Sequence, residues 1–576
     1  VLLITGVWAS LLLGASLLWK MSYGYDEAFH VDLAYVYSKD PFTFYGPGGL
    51  SPTLTEAALE RQVPGYQIDP NWPGAVTAPT GPVRDRAERP SLDAAGGVAP
   101  APGERRNQMI QHPPLFYWLE AAVLRVPGVS SLAWDLQLWL MRLVSVVFAL
   151  PLPILCWAAA ERLLSRVRGP GDARDAIGAD PRWAVLAALV PLTIPGLVRN
   201  LASVTNDVLL ILAVSVLMVA LTRVVTGDLT TRTAVVVAVS LAVALLAKGF
   251  ALVLPPVILV AYVWAGTRDR PGWPDLWRRL RRPAAVVVVG AVVGGLWWLR
   301  NLVLYGAVQI NGLGPDATAT LFGPPDGRGT TSAFVPEFLR QVASRIWGGV
   351  GLPDEPLPGP VIVWGWLAVT TAGLVAALVL PSSRGMRPRL AILTLPAVLV
   401  MSVVGAGSLA DYHQWSAYLH GAQGRYVYLA IVPFSAGVVL GWQRLLGPAV
   451  ARSRGGGQRT LTRVVALVTA AALATNAAVW AMILTTWYAR GPTLSWPTLS
   501  AGFRALLVWA PVPPPFVVAL CAVGPVLCGV GAVVALARSG PARFSRAGGG
   551  PAEVTTAEVG PPPDPTRGPV TPTMEA

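Results

Sequence analysis

The sequence predicts an all-α polytopic membrane protein: a bundle of about 11–13 transmembrane helices with long outer loops that carry juxtamembrane helices. Of the 576 residues, 53% are hydrophobic and only 13% are charged, a balance that soluble domains do not show. The apolar residues form runs of about 16 to 25 residues, as bilayer-spanning helices require. The positive residues behind the net charge of +13 lie in short loops between these runs. We therefore interpret the charge as topology and predict no nucleic-acid partner.

Each apolar run of sufficient length is predicted to be a membrane span. The runs are residues 1–19, 136–160, 183–199, 207–224, 232–247, 250–265, 283–304, 360–380, 390–407, 426–443, 464–486 and 514–537. Run 1–19 has no basic segment before it and no small-residue cleavage site, so we expect a retained first span and not a signal peptide.

The apolar stretch 114–126 is short and holds Glu120 and Arg125. It predicts a juxtamembrane or re-entrant helix, with a short tilted span as the alternative.

Loop charge sets the predicted orientation. Arg-rich segments face the cytoplasm, and the predicted spans place five of them inside: 162–182, 266–283, 382–389, 444–463 and the tail 538–576. The tail is rich in Pro, Gly and Thr and is expected to be disordered. Residues 1–537 then form one transmembrane domain.

Only three of the 44 basic residues are lysines, a composition typical of a GC-rich genome such as that of an actinobacterium. The expected location is therefore the plasma (inner) membrane of a bacterium.

Four segments are predicted to lie on the outer side: 20–113, 305–358, 408–425 and 487–513. The middle of the first, 41–106, is dense in Pro and Gly and should be irregular loop. Residues 26–38 have apolar side chains at helical spacing, which suits a helix in the membrane interface. The histidines of the chain, His30, His112, His413 and His420, all fall in these outer segments. This favours a polar site on the outer face, although interfaces also tolerate His better than hydrocarbon does.

The sequence GYDEAFH at 24–30 places two carboxylates just beyond the first span. Partial desolvation there would raise a carboxylate pKa towards the range of a general base. The alternative is that Asp26 caps a helix whose positive end Glu27 favours. The second motif, IQHPPLFYW at 110–118, begins an aromatic helix with Pro-Pro and would hold His112 at the interface, where it could contact a phosphate or orient a carboxylate.

Together these motifs resemble the protein O-mannosyltransferase and aminoarabinose transferase superfamily of GT-C glycosyltransferases, which carry Asp-Glu or Tyr-Asp-Glu and then His-Pro-Pro-Leu or Lys-Pro-Pro-Leu-Tyr-Tyr-Trp. Here the matching residues are YDE at 25–27 and HPPLFYW at 112–118. The resemblance implies a GT-C fold of eleven to thirteen spans. It implies a hexosyl- or pentosyltransferase that moves a sugar from a polyprenyl-phosphate donor to an acceptor on the outer face. It also implies that the Asp of the pair is the general base.

Candidate site residues follow from this resemblance and from the chemistry of the transfer. Asp26 is the candidate base, and Glu27 would hold Asp26 or a sugar hydroxyl, or cap the helix. Cations at bilayer depth would receive the phosphate, and Arg side chains grip phosphate bidentately. The candidate phosphate ligands are His112, Lys248 in AKG, Arg300 in WWLRN and Arg425 in GRYVY. Interfacial anchoring or snorkelling is the alternative for Lys248 and Arg300, and a loop boundary for Arg425.

The remaining candidates are substrate contacts: Tyr25, His30, Tyr117, His413, His420 and Tyr426. The segment DYHQWSAYLH at 411–420 could stack on a sugar or be an aromatic interface belt. Gln111 and His112 stand where the aminoarabinose enzymes have Glu-Lys, so no metal ligand is predicted and a divalent metal is left open. Cys156, Cys521 and Cys528 lie in apolar runs and are expected to be buried.

The expected partners are membrane lipids, a polyprenyl-phosphate sugar and a glycan, lipid or secreted acceptor. A transporter or lipid-handling protein without catalysis is the competing hypothesis. It requires ionisable residues lining a path through the membrane, and the predicted spans hold few of them.

Overall fold

The computed structural model describes twelve stretches of the chain. They are residues 1–21, 24–54, 83–95, 106–165, 180–268, 271–312, 326–348, 359–380, 385–416, 421–452, 457–489 and 494–538. Within these stretches the regular secondary structure is helical throughout. Much of the predicted irregular loop 41–106, His420 and the tail from 539 onward lie outside the described residues.

Eighteen α-helices are numbered here in chain order. They are α1 Leu2–Leu18, α2 Glu27–Lys39, α3 Leu115–Leu124, α4 Trp134–Ala149, α5 Leu152–Ser165, α6 Arg182–Leu189, α7 Pro195–Leu201, α8 Asp207–Val225, α9 Thr231–Leu245, α10 Leu254–Thr267, α11 Trp273–Tyr305, α12 Thr331–Gly348, α13 Pro360–Val379, α14 Met386–Gln414, α15 Ile431–Arg452, α16 Gly457–Ile483, α17 Trp496–Trp509 and α18 Pro514–Arg538. Short 3₁₀-helices, among them Gln108–Gln111, Gly249–Val253 and Gly424–Ala430, lead into several of them.

The protein is an all-α multi-pass membrane protein, as the sequence predicts. In the described part of the chain, eight helices are long and apolar enough to cross a membrane, and nine if a bent pair counts as one span. Shorter apolar helices at Leu2–Leu18, Thr231–Leu245 and Pro514–Gly524 coincide with the other predicted spans. A helix satisfies the backbone hydrogen bonds of a membrane span within the span itself. Long apolar runs therefore become helices whatever packs around them.

Proline modifies two of the predicted spans. The span predicted at 183–199 is a bent pair, because α6 and α7 meet at 71° across a 3₁₀ turn at Val190–Thr193. Pro191 and Pro195 stand in this break and lack the N–H that a continuous helix needs. The span predicted at 136–160 extends from Trp134 to Ser165, with an interruption between α4 and α5 at residues 150–151.

The short helix α3 is ten residues long, about half of what a membrane span needs. It packs along α2, and its buried side chains include Phe116, Tyr117 and Glu120. Arg125, just past its end, donates to the carbonyl oxygens of Ser38 and Tyr37 at the end of α2. The juxtamembrane interpretation of 114–126 therefore fits the packing better than a separate span does.

The four segments predicted on the outer side contact one another, and we call the end of the bundle that they form the loop end. Hydrogen bonds join them in pairs: Gly48 N to Asn311 O, Gln309 to Gln111, Arg345 to the Ala422 carbonyl, Thr331 to His413, and Arg86 and Arg89 to carbonyls of residues 507–510. Because segments far apart in sequence meet here, the loop end is where a composite site can form.

Candidate functional site

Asp26 lies in the turn between α1 and α2 and has an unusual backbone. Its φ of 54° and ψ of 20° are left-handed, and among the described residues it is the only one besides glycine with a positive φ. Such a conformation costs about 1 kcal/mol or more and tends to persist where surrounding structure enforces it, often at functional sites. Asp26 occupies the N-cap position of α2, but its side chain makes no capping hydrogen bond. The capping alternative therefore does not account for this carboxylate.

The Asp26 carboxylate instead contacts Arg425, which is 399 positions away in the chain. Nη2 of Arg425 donates to Oδ2 of Asp26 at 3.0 Å. The Asp26 side chain is 28% exposed, whereas that of Arg425 is 6% exposed. Arg425 comes from the 3₁₀ turn Gly424–Ala430 that leads into α15. The contact thus brings the candidate base and a candidate phosphate ligand together.

A second acid and cation extend this contact. Nζ of Lys248 lies 2.6 Å from Oδ1 of Asp207, and Oδ2 of Asp207 lies 3.9 Å from Nε of Arg425. Asp207 begins α8, and Lys248 precedes the 3₁₀ turn at Gly249–Val253. We call Asp26, Asp207, Lys248 and Arg425 the charged cluster. Asp207 is not among the site residues predicted from the sequence; its position beside Asn206 at the start of a span was the signal available.

Several polar atoms of this region have no hydrogen-bond partner among the described residues. They are Nε and Nη1 of Arg425, Oδ2 of Asp207 and Nδ1 of His112, all buried. A buried polar atom without a partner costs about 1–3 kcal/mol. Since these donors and acceptors converge on one region, the region is suited to a polar ligand.

The region also carries excess positive charge. Arg199 stacks on the Tyr25 ring with its guanidinium carbon 4.4 Å from the centroid, and Arg425 lies 4.7 Å from the same centroid. Both arginine residues are buried, each with 8% of its whole-residue surface exposed. With Arg199 included, three cations face the two carboxylates of the charged cluster. An anionic ligand would neutralise the excess, and Tyr25 holds the two arginines in place.

Glu27 has different surroundings from Asp26, its neighbour. It is fully buried and makes a bidentate pair with Arg142, from Nε at 2.8 Å and Nη2 at 2.6 Å. It also accepts from the backbone N–H groups of Gly24 and Val204. Four donors fill its acceptor sites, so Glu27 is placed to position the turn that holds Asp26 and not to receive a substrate proton.

The histidine and tyrosine of the two motifs pair with each other. Nδ1 of His30 lies 3.0 Å from the Tyr117 hydroxyl, and the rings stack at a centroid distance of 5.8 Å. Both side chains are at most 2% exposed. Burial lowers the pKa of His30 to about 3 and holds the pKa of His112 well below 6.5. His30 and Tyr117, predicted as substrate contacts, are thus neutral packing partners that hold α3 against α2.

A buried hydrogen-bonded clasp fixes the second motif relative to the first. Asp32 on α2 accepts from the N–H groups of Thr53 and Leu54 at 2.7 Å each, and from Nδ2 of Asn107 at 2.6 Å. Oδ1 of Asn107 in turn caps the 3₁₀ turn that leads to His112, by accepting from Met109 N. Sequence reasoning missed this pair, because nothing local marks Asp32 and Asn107 as partners.

The aromatic candidate Tyr426 lies beside the charged cluster. Its ring centroid is 5.6 Å from the Arg425 guanidinium carbon, and it packs edge-on against Phe250 at 4.8 Å. Phe250 also lies 5.3 Å from Nζ of Lys248. The two rings therefore form an apolar wall next to the two cations, a combination suited to an amphiphilic anion.

Two predicted site residues contact other groups. Arg300 packs against Phe44, Trp297 and Tyr305, with guanidinium-to-centroid distances between 4.9 and 5.5 Å, and donates to Asn301. These contacts match the interfacial-anchor alternative. His413 contacts the Thr331 hydroxyl at an exposed position.

In the described part of the chain, no group of three or more His, Cys, Asp or Glu side chains is arranged to hold a metal ion. Cys156 is buried and Cys521 is partly buried, both as free thiols, and the side chain of Cys528 lies outside the described residues.

No family model matches the chain, and no curated protein matches it. Among solved structures, ArnT from Cupriavidus metallidurans bound to undecaprenyl phosphate is 15% identical, with a TM-score of 0.39, over 92% of this chain and 77% of that one. The apo oligosaccharyltransferase of Archaeoglobus fulgidus is 11% identical, with a TM-score of 0.39, over 85% of this chain and 56% of that one. Similarities of this size leave function to be argued from the chain's own residues.

Proposed function

We propose that this protein is a membrane glycosyltransferase that moves a hexose or pentose from a polyprenyl-phosphate donor to an acceptor hydroxyl, on the outer face of a bacterial plasma membrane. The observation that supports it most directly is the charged cluster at the loop end: a partly exposed Asp26 in a left-handed backbone, in contact with the buried Arg425. The motif resemblance at YDE and HPPLFYW adds to this observation.

The chemistry follows from the charges. Asp26 accepts the proton of the acceptor hydroxyl, and the acceptor oxygen forms a bond to the anomeric carbon of the sugar. The bond between that carbon and the phosphate oxygen breaks, and its electron pair leaves with the polyprenyl phosphate. A single displacement inverts the anomeric centre. The phosphate passes from one negative charge to two, so Arg425 and Lys248 stabilise the transition state more than the bound donor.

The other groups hold this geometry. Glu27 and Arg142 fix the turn that contains Asp26, and Asp207 holds the Lys248 ammonium by its 2.6 Å contact. Tyr426 and Phe250 provide an apolar wall for the first part of the lipid or for the sugar ring. The acceptor is a glycan, a lipid or a secreted molecule.

Asp207, Lys248 and Arg425 lie at helix ends and not at mid-span. Their positions therefore do not favour a transport path through the membrane.

The test replaces Asp26 by Asn, which tolerates the left-handed backbone and keeps the side-chain shape. Membranes containing the protein would be supplied with polyprenyl phosphates carrying mannose or a pentose, and loss of sugar from the donor would be measured. We expect the rate to fall at least about 10²-fold, the usual worth of a general base. Asp93→Asn is the matched control, because Asp93 is an exposed acid of the same loop region, paired with Lys39. Unchanged transfer by Asp26→Asn would exclude Asp26 as the base.

A further inference from the structure

The helix α11 is longer than a membrane is thick. Its 33 residues span about 50 Å at about 1.5 Å per residue, whereas the hydrocarbon core of a bilayer measures about 30 Å. Its last residue, Tyr305, lies against Gly46 of the first loop, so this end of α11 belongs to the loop end. The rest of the helix reaches through the bundle to the opposite end.

The register of α11 against α9 shows where the surplus length lies. Gly290 packs against Ala238, and Gly294, one turn later, packs against Ala242. The two helices are therefore parallel at this contact, and α11 begins about ten residues before the level at which α9 begins. Residues 273–282 project beyond the start of α9, at the end of the bundle opposite the loop end. We call them the basic–aromatic segment.

Leucines seat this segment on the protein and leave its tryptophans exposed. With about 3.6 residues per turn, Trp273, Leu276, Trp277 and Leu280 share one side of the helix. A Cβ added at Gly266, near the end of α10, would come within 2.8 Å of Leu276 and 3.2 Å of Leu280, so both leucines pack on α10. The two tryptophans are 75% and 58% exposed. The segment therefore presents two largely exposed aromatic rings beside its contact with α10.

The other sides of the segment carry positive charge. Its arginines are all exposed: Arg278, Arg279, Arg281 and Arg282. Asp275 is the one acid of the segment and pairs with Arg278. Four arginines against one aspartate leave a net charge of +3. Tryptophan rings favour the headgroup layer of a bilayer, and guanidinium groups bind phosphates there.

We propose that the basic–aromatic segment binds anionic phospholipids, with its tryptophan rings at the level of the headgroups and its arginines on the lipid phosphates. A zwitterionic headgroup carries its own ammonium charge, which offsets the attraction, whereas a net-negative headgroup such as that of phosphatidylglycerol does not. Each basic residue near an anionic lipid surface strengthens binding about fivefold. The segment lies at the opposite end of the bundle from the charged cluster, so this binding does not depend on the proposed sugar transfer.

The experiment uses the full chain, reconstituted in vesicles whose lipids carry bromine on their acyl chains, because bromine quenches tryptophan fluorescence on contact. Mixtures of brominated phosphatidylglycerol with plain phosphatidylcholine, and the reverse, give the association constant of one lipid relative to the other. The double variant Trp273→Phe/Trp277→Phe is measured in parallel, and the difference isolates these two rings among the 22 tryptophans of the chain. We expect the two rings to contact phosphatidylglycerol with a preference of at least about fivefold.

Two pairs of arginines distinguish a site from general attraction to a basic surface. Arg281→Gln/Arg282→Gln should lower the preference for phosphatidylglycerol at these rings by at least about fivefold. Arg459→Gln/Arg463→Gln is the matched control, because it removes two exposed arginines from the start of α16. The far end of α16 leads to Tyr488, which donates to the Leu18 carbonyl beside the Asp26 turn, so these arginines also lie opposite the loop end. We expect the control to change the preference by less than about twofold, since salt screens charges on separate helices.

Each contrary outcome overturns the proposal in its own way. An equal loss of preference in both arginine pairs would show general attraction to the surface and no site at this segment. Equal quenching by the two lipids in the unmodified protein would show that the segment does not select anionic headgroups. No quenching of Trp273 and Trp277 by either lipid would show that another surface, such as that of a second copy of the chain, covers them. The replaced arginines are all exposed, so we expect every variant to fold.

Discussion

Asp26 and Glu27 are adjacent carboxylates whose surroundings assign them different tasks. Asp26 is partly exposed and forms an ion pair with Arg425. Glu27 is fully buried and has four donors around it, two from Arg142 and two from backbone N–H groups. Two carboxylates with separate environments can perform separate roles. At the scale of the residue, therefore, burial and donor number distinguish the candidate base from the residue that positions it.

The Glu27–Arg142 pair should be costly to break. Replacing Glu27 by Gln leaves the buried Arg142 charge without its counter-ion, a change that costs about 3–5 kcal/mol. We expect a strongly lowered yield of folded protein and a lower apparent melting temperature by tryptophan fluorescence. Glu337→Gln is the matched control, since Glu337 pairs with Arg340 at an exposed site of α12, where an ion pair contributes at most about 1 kcal/mol. Equal losses in both variants would contradict the structural role of Glu27.

Asp32 should make stability depend on pH in the opposite sense to most carboxylates. Burial raises its pKa to about 6, above the ordinary 3.8. The folded protein therefore binds this proton more readily than the unfolded chain, and the resulting stability is present below pH 3.8 and is lost as the pH rises through 6. Between pH 5 and pH 7.5 the loss is on the order of 1 kcal/mol.

The predicted loss of stability can be measured by equilibrium unfolding in mixed detergent at pH 5 and pH 7.5, with the unmodified protein and with Asp32→Asn. The variant should lack that part of the pH dependence, whatever its absolute stability. Asp93→Asn is the comparison, because Lys39 lowers the pKa of Asp93 below its ordinary value of 3.8. Asp93 is therefore ionised at both pH values, and its removal should leave the pH dependence between them unchanged. A slope that is the same for the protein and for Asp32→Asn would show that Asp32 does not titrate in this range.

Close backbone approach between elements sets the position of Arg425. The residue before it, Gly424, lies against the end of α12, where an added Cβ would come within 2.3 Å of the Ile346 backbone nitrogen. The Tyr428 hydroxyl donates to the Ile346 carbonyl at 2.8 Å and lies against Gly196 of α7. Thus α12, from the second large loop, and α7, from the bent pair, together hold the turn that carries Arg425.

Gly424→Ala should therefore reduce activity more than it reduces stability. The clash is with backbone atoms, so the turn must move, and a displacement of about 1 Å of a catalytic group can cost on the order of 10²-fold in rate. We expect sugar transfer to fall by roughly this factor while the protein still elutes as a folded monodisperse species. Gly365→Ala in α13 is the control, because a Cβ there meets nothing within 4 Å. Transfer at the original rate by Gly424→Ala would show that this contact does not position Arg425.

At the scale of the whole molecule, the loop end is an assembly of four segments that are distant in sequence. Arg86 and Arg89 of the first loop donate to the carbonyls that end α17, and the same loop meets residues 309–311. Arg89 also pairs with Asp135 at the start of α4. The membrane helices thus provide a frame, and the loops close over one end of it. The charged cluster draws one residue from each of four places along the chain.

Hydropathy alone predicts the helices, because a span must satisfy its own backbone hydrogen bonds and needs no partner to do so. Asp26 and His112 could likewise be singled out, since each lies in a short motif beside a span end. The interruption at residues 150–151 and the bend at residues 190–194 coincide with prolines, which a count of apolar residues does not weigh. Local sequence therefore determines the membrane class, the approximate spans and the region of the site.

Tertiary packing decided the rest. Asp207 and Lys248 are 41 positions apart, Asp26 and Arg425 are 399 apart, and no local pattern pairs them. Packing also buried Glu27, His30 and Tyr117 and placed Arg300 among aromatic rings. The physical reason is that charge pairing and burial depend on which distant segments meet. Sequence by itself determined that this chain crosses a membrane and carries acids beside its first span, and only the folded structure decided which cation each acid faces.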